Sequence, residues 1–126
     1  MRGIGFAHYA AHYNMDVPAA VIVNTSGIVL DHVTVAWSAS RAVSILDSNA
    51  VVTDSTFLYS GATGVHGNAA PGLVFERNRI SGSNEQHFSI ASSATGQIAG
   101  IKVTHTRNAM VRANLVSDNE IGRAHV

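Results

Sequence analysis

The chain has 126 residues, eight basic and eight acidic side chains, a formal net charge of zero and no cysteine. Neither sign forms a run, so no basic stripe is available for nucleic acid or an anionic membrane surface. Without thiols there are no disulfides, thiolate metal sites or cysteine nucleophiles.

The first segment, Met1-Arg2-Gly3-Ile4, is not followed by the apolar stretch of a signal peptide. His8 and His12 have the spacing of two metal ligands on one helix face. Their segment aligns with strand-bearing parts of the chain, however, where that spacing means little without a third ligand. They read as structural, and neither a metal nor a cofactor is expected. The next apolar run, Ala19 to Val23, is far too short to cross a bilayer, so no membrane insertion is expected.

From here the chain repeats itself. Ile28-Val29-Leu30 aligns with Ala50-Val51-Val52, Leu73-Val74-Phe75 and Ala109-Met110-Val111, at intervals of 22, 23 and 36 residues. Five residues beyond each triplet stands another apolar residue: Val35, Phe57, Ile80 and Val116. A third set runs from Val21-Ile22-Val23 through Val43-Ser44-Ile45 and Val65-His66-Gly67 to Ile101-Lys102-Val103, and its last interval is also 36. All columns lengthen at one place, which locates a loop insertion near 81–96, rich in Gly, Ser, Asn and Thr. Within each segment the apolar residues alternate, as short strands with one buried face require. Strands this short, joined by a few polar residues and repeating about every 22, pair with their equivalents one coil later. The expected fold is an all-β parallel β-helix, a solenoid of about five coils. A different all-β fold such as a sandwich is disfavoured by the fixed register.

Two columns carry more detail. Asn78 and Asn114 share a position where stacked amides can bond each other and the backbone, but Val33 and Ser55 occupy it in earlier coils and leave that ladder incomplete. Val29, Val51, Val74 and Met110 should point outward although all are apolar. They read either as β-propensity on a half-covered face or as a surface against which a partner packs.

The strings GIVLDHVTV, GLVFERNRI and NAMVRANLVSDN resemble the repeats of right-handed parallel β-helix proteins, the pectate-lyase-like superfamily. RGIGFAHYA, NEQHF and AGIKVTHTRNAMVRANLVSDN look like stretches from the middle of large bacterial β-helix repeat proteins. The resemblance implies a secreted or cell-surface, glycan-directed role, and the motif specifies fold far better than chemistry. Neither end reads as a solenoid cap, so residues 1–120 are expected to be a piece of a longer β-helix, with missing coils of the parent as partners and raw edges that invite association. Residues 121–126 read as a non-native tail, because a common sequencing-library adaptor can encode them in one frame.

The candidate glycan-groove residues are Ser44, His66, Lys102, Trp37, Tyr59, His105 and Arg107. Ser44, His66 and Lys102 form one outward column, of the kind that polyuronate enzymes of this fold use to bind carboxylates; the alternative is an ordinary solvated sheet face. Trp37 and Tyr59 lie two residues beyond Val35 and Phe57, in one column, and could stack sugar rings or simply pack at the coil edge. His105 and Arg107 flank Thr106 beside the insertion, and Glu85 and His87 lie within it, so a loop wall over a groove can be drawn. No column joins a base, an acid and a charge stabiliser, the Asp-Pro-His-Asp string of mannuronan epimerases is missing, and catalytic residues cannot be assigned. The expected function is that of a fragment of a carbohydrate-active protein, a lyase, hydrolase or epimerase relative, its coils the scaffold of a glycan groove. The alternative is a non-catalytic binding or adhesion module. An enzyme should gather Lys, Arg, His and Asp across neighbouring coils, whereas an adhesion module should present a flat polar face.

Overall fold

A computed structural model describes residues 1–10, 19–85, 87 and 98–120. Among these the chain forms thirteen short strands, arranged in three sheets. The first contains β1 (Gly5–Ala7), β4 (Thr34–Ala36), β7 (Thr56–Leu58), β10 (Arg79–Ser81) and β13 (Leu115–Ser117). The second contains β2 (Ala19–Val23), β5 (Arg41–Ile45), β8 (Thr63–Asn68) and β11 (Ala99–Thr104). The third contains β3 (Val29–Asp31), β6 (Val51–Thr53), β9 (Val74–Glu76) and β12 (Met110–Arg112). Each strand pairs in parallel with its counterpart one coil away, so the chain visits the three sheets in rotation and makes five coils, the first of which contributes only β1 among the described strands.

The columns read from the sequence are the columns of the fold. Leu30 pairs with Val52, Val52 with Phe75 and Phe75 with Val111, while Val35, Phe57, Ile80 and Val116 form the equivalent file on the first sheet. The Phe57 and Phe75 rings stack inside, 6.1 Å between centroids, and both are fully buried. Each such side chain contributes roughly 1.5–3 kcal/mol on leaving water. No coil can gather enough of them alone, so stacking on a neighbour is what offsets the ordering of its backbone. In the last described coil the same columns keep their register but have no described coil stacked on them, and Val111 and Val116 are about half exposed, at 47% and 48%.

The corners are made by single residues with positive φ. One corner column is His8, Trp37, Tyr59, Gly82 and Asp118 (φ +57°, +52°, +54°, +68° and +52°), and another is Gly3, His32, Asp54, Arg77 and Ala113. This conformation is disfavoured for L side chains. Here it redirects the chain while its N–H still reaches the next coil: Trp37 donates to Leu58 O at 3.0 Å and Tyr59 to Ser81 O at 2.9 Å.

The amide ladder is more complete than Asn78 and Asn114 alone suggested. Val33 N–H donates to Ser55 Oγ (3.0 Å), Ser55 N–H to Asn78 Oδ1 (2.9 Å) and Asn78 N–H to Asn114 Oδ1 (2.9 Å). A serine hydroxyl does the same work as the amide oxygen, so the ladder runs through four coils. The outward apolar column is graded: Val51 and Val74 in the middle are half-buried, while Val29 and Met110 at either end are exposed. The loop insertion follows β10, but most of it, like His12 and residues 121–126, lies outside the described residues.

Candidate functional site

The candidate residues fall in three places on the solenoid. Trp37 and Tyr59 stand at the corner between the first and second sheets, and a third ring, His8, joins them from the preceding coil. His8 and Trp37 stack with centroids 5.2 Å apart and planes 8° from parallel; Trp37 and Tyr59 stack at 5.1 Å and 24°. Near-parallel rings at this separation are offset, so each ring leaves part of its face and its polar edge uncovered. The register forces the alignment, because Phe6, Val35 and Phe57 pair in one file and each aromatic lies two residues beyond. The same spacing in GFAHYA identifies His8, which the sequence reading had treated only as half of a metal-like pair with His12.

Beside this ladder runs a groove of about 350 Å³, lined by His8, Tyr9, Trp37, Ser38, Tyr59 and Glu85 together with small residues of the same corners. Trp37 is 52% exposed and Tyr59 39% exposed. Gly82 occupies the ladder position one coil beyond Tyr59, and a Cβ there would lie 2.7 Å from Tyr59 Cδ1 and 3.0 Å from Glu85 Oε1. The missing side chain is therefore what brings the tyrosine ring and the carboxylate to the same point. Glu85 is held on its neighbour by its backbone, whose N–H donates to Ser60 O at 3.1 Å.

Ser44, His66 and Lys102 do form one column, on the second sheet: Ser44 pairs with His66 and His66 with Lys102. This is not the solvated face of the alternative reading. Ser44 and His66 are buried, at 3% and 6% exposed, and Ser44 Oγ has no hydrogen-bond partner among the described residues. Arg41 joins them, buried as well, with Nη1 3.4 Å from His66 Nδ1. Strict alternation places Arg41 on the same side as Val43, which is why the sequence reading missed it. The strand pairing lapses at Ala42 and its equivalents, and Ala42 and Val43 both enter the core, so Arg41 and Ser44 emerge on the outer face together. Burial, and then the charges of Arg41 and Lys102, push the His66 imidazole down to about 4. It is therefore neutral at pH 7, and because an arginine can only donate, its one basic lone pair, on Nδ1, faces Arg41. Burial, and then Arg41, also lowers the Lys102 ammonium.

His105 and Arg107 are in neither place. They lie at the corner between the second and third sheets, both exposed, with His105 Nδ1 3.0 Å from Asn68 Oδ1. His87 pairs with Glu120. Of these four residues, Glu85 is the one in the described lining of the groove at the aromatic corner.

Asp31, His32 and Asp54 each offer one ligand atom within 4.8 Å of the others. Their oxygens are already engaged. Asp54 takes a forked pair of bonds from Arg77 (2.9 and 2.8 Å), and Asp31 binds Arg2 (2.9 Å) and His32 (2.5 Å). Arg77 also meets Glu76, which meets Arg112, so acids and bases alternate up the corner as a charge ladder.

A family model described as the right-handed beta helix region matches residues 18–125. No curated protein and no solved structure matches the chain.

Proposed function

We propose that this chain, which belongs to the right-handed β-helix family, is the glycan-binding part of a carbohydrate-active protein of the cell exterior. The coils are the scaffold, and the groove beside His8, Trp37 and Tyr59 is the binding face. The observation that carries this reading is the ladder itself: three ring side chains from three successive coils, each held at positive φ, line one open groove. The repeated positive-φ corner holds the three rings in one register, so the backbone fixes the face they present. Half-exposed Trp37 and Tyr59 offer apolar surface for the C–H face of a pyranose, and the Trp37 indole N–H and Tyr59 hydroxyl can hydrogen-bond its hydroxyls. The groove is of ligand-pocket size.

Titrating the chain with a panel of soluble polysaccharides while following Trp37 emission tests the reading directly, since Trp37 is the sole tryptophan. Binding should change that emission, and Trp37→Ala, followed by calorimetry because it retains no tryptophan, should abolish binding with the far-ultraviolet spectrum unchanged. A W37A variant that binds every glycan as the parent does would overturn it.

A second reading, an enzyme acting on polyuronates, is favoured by the meeting of Arg41, His66 and Lys102 across three coils. Two cations would hold a carboxylate, and the neutral imidazole would accept the proton next to it. Its test is release of unsaturated uronides from a polyuronate panel by the parent and not by His66→Ala.

A further inference from the structure

We infer that the groove selects glycans bearing a free amino group, 2-amino-2-deoxy sugars, over their N-acetylated and uronate counterparts. This inference rests on the glycan-binding reading and adds the sign of charge that the ligand must carry. Among the described residues that line the groove there is one carboxylate, Glu85, and no lysine or arginine. The basic side chains Arg41 and Lys102 are set apart on the second sheet and do not line it. Glu85 is exposed, and no described side chain forms an ion pair or hydrogen bond with it.

The rings point the same way. The π faces of Tyr9, Trp37 and Tyr59 attract a cation through their quadrupoles, with tryptophan the strongest, and the attraction adds to that of a nearby carboxylate. Gly82 supplies the geometry: Tyr59 Cδ1 and Glu85 Oε1 both abut the space where its Cβ would stand. The tyrosine ring and the carboxylate are thus close neighbours, and an ammonium in the open groove beside them meets both at once. The same place repels a uronate carboxylate, which would lie beside Glu85 with no lysine or arginine in the described lining to compensate it. An N-acetyl group removes the positive charge and leaves the stacking surface in use.

The experiment uses the full chain, with Trp37 emission as readout, and three hexasaccharide probes: glucosamine, N-acetylglucosamine and galacturonate. The glucosamine oligomer is expected to bind about tenfold more tightly than its N-acetylated form, and the galacturonate oligomer not to bind measurably. Glu85→Gln should erase that preference, bringing the glucosamine oligomer down to the affinity of its N-acetylated form. Equal affinity for the first two probes, a preference that survives E85Q, or tightest binding of galacturonate would each overturn the inference while leaving glycan binding in place. Failure of all three probes to bind would remove both the inference and the reading beneath it.

Discussion

Asn78 and Asn114 share one hydrogen-bond system across a coil boundary: Asn114 Oδ1 accepts from the Asn78 backbone N–H at 2.9 Å and from Asn78 Nδ2 at 3.1 Å. Asn78 in turn accepts from Ser55 N–H and donates to Val52 O, both at 2.9 Å, and is 2% exposed. One side chain thus satisfies backbone groups of β6 and of the corner that follows it in the coil below. Asn78→Ala should cost about 2–4 kcal/mol, since it leaves a buried donor and a buried acceptor without partners. Urea unfolding monitored by circular dichroism measures this, and parent-like stability of N78A would show that the ladder is incidental.

The Leu30–Val52–Phe75–Val111 file makes a graded prediction. Phe75 is wholly buried in its middle, whereas Val111 is 47% exposed at its end. Phe75→Ala should destabilise by about 3–5 kcal/mol, and Val111→Ala by less than ~1 kcal/mol. Similar losses at both positions would contradict the stacking order.

Gly64 lies where two coils meet most closely. A Cβ on it would stand 2.6 Å from Gly100 O and 2.7 Å from Ile80 Cγ2, contacts that no real side chain sustains. The first neighbour is backbone and cannot swing away, so Gly64→Ala must push β11 off β8 at about 1–3 kcal/mol. Gly5→Ala is the control, because its nearest neighbour would be Thr34 O at 3.9 Å. Hydrogen exchange on β8 and β11 amides should accelerate in G64A and not in G5A.

His66 sets a pH dependence whose direction follows from its lowered proton affinity. Unfolded, the imidazole takes a proton near its ordinary 6.5; folded, it does so only at about 4. Between those values the unfolded chain holds more protons, so stability falls as pH drops through that window and levels off below it. The slope is at most about 1.4 kcal/mol per pH unit for one such group. Unfolding midpoints of the parent against His66→Gln isolate it. If both lose stability equally between pH 6.5 and 4, another group is responsible.

How much of this was legible beforehand divides along a physical line. In a solenoid the same contact recurs at every coil, so Leu30, Val52, Phe75 and Val111 announce their shared file through spacing alone, and so do Trp37 and Tyr59. The common lengthening after Ile80 likewise marks an insertion, because a loop that leaves the stack cannot shift its register. Periodicity constrains which residues lie above one another.

It says little about what happens where the period is broken. Arg41 reached the outer face because the pairing lapses at Ala42, a bulge that alternation cannot express. Glu85 lies in the insertion and His105 soon after it in the sequence, yet they emerge at different corners, since the chain crosses the whole second sheet between them. The repeating pattern of side-chain volume and polarity therefore fixed the fold and its columns. The composition of the groove and the burial of Ser44 and His66 were decided only in three dimensions, where corners from separate coils are brought side by side and the local dielectric, not residue type, sets each charge.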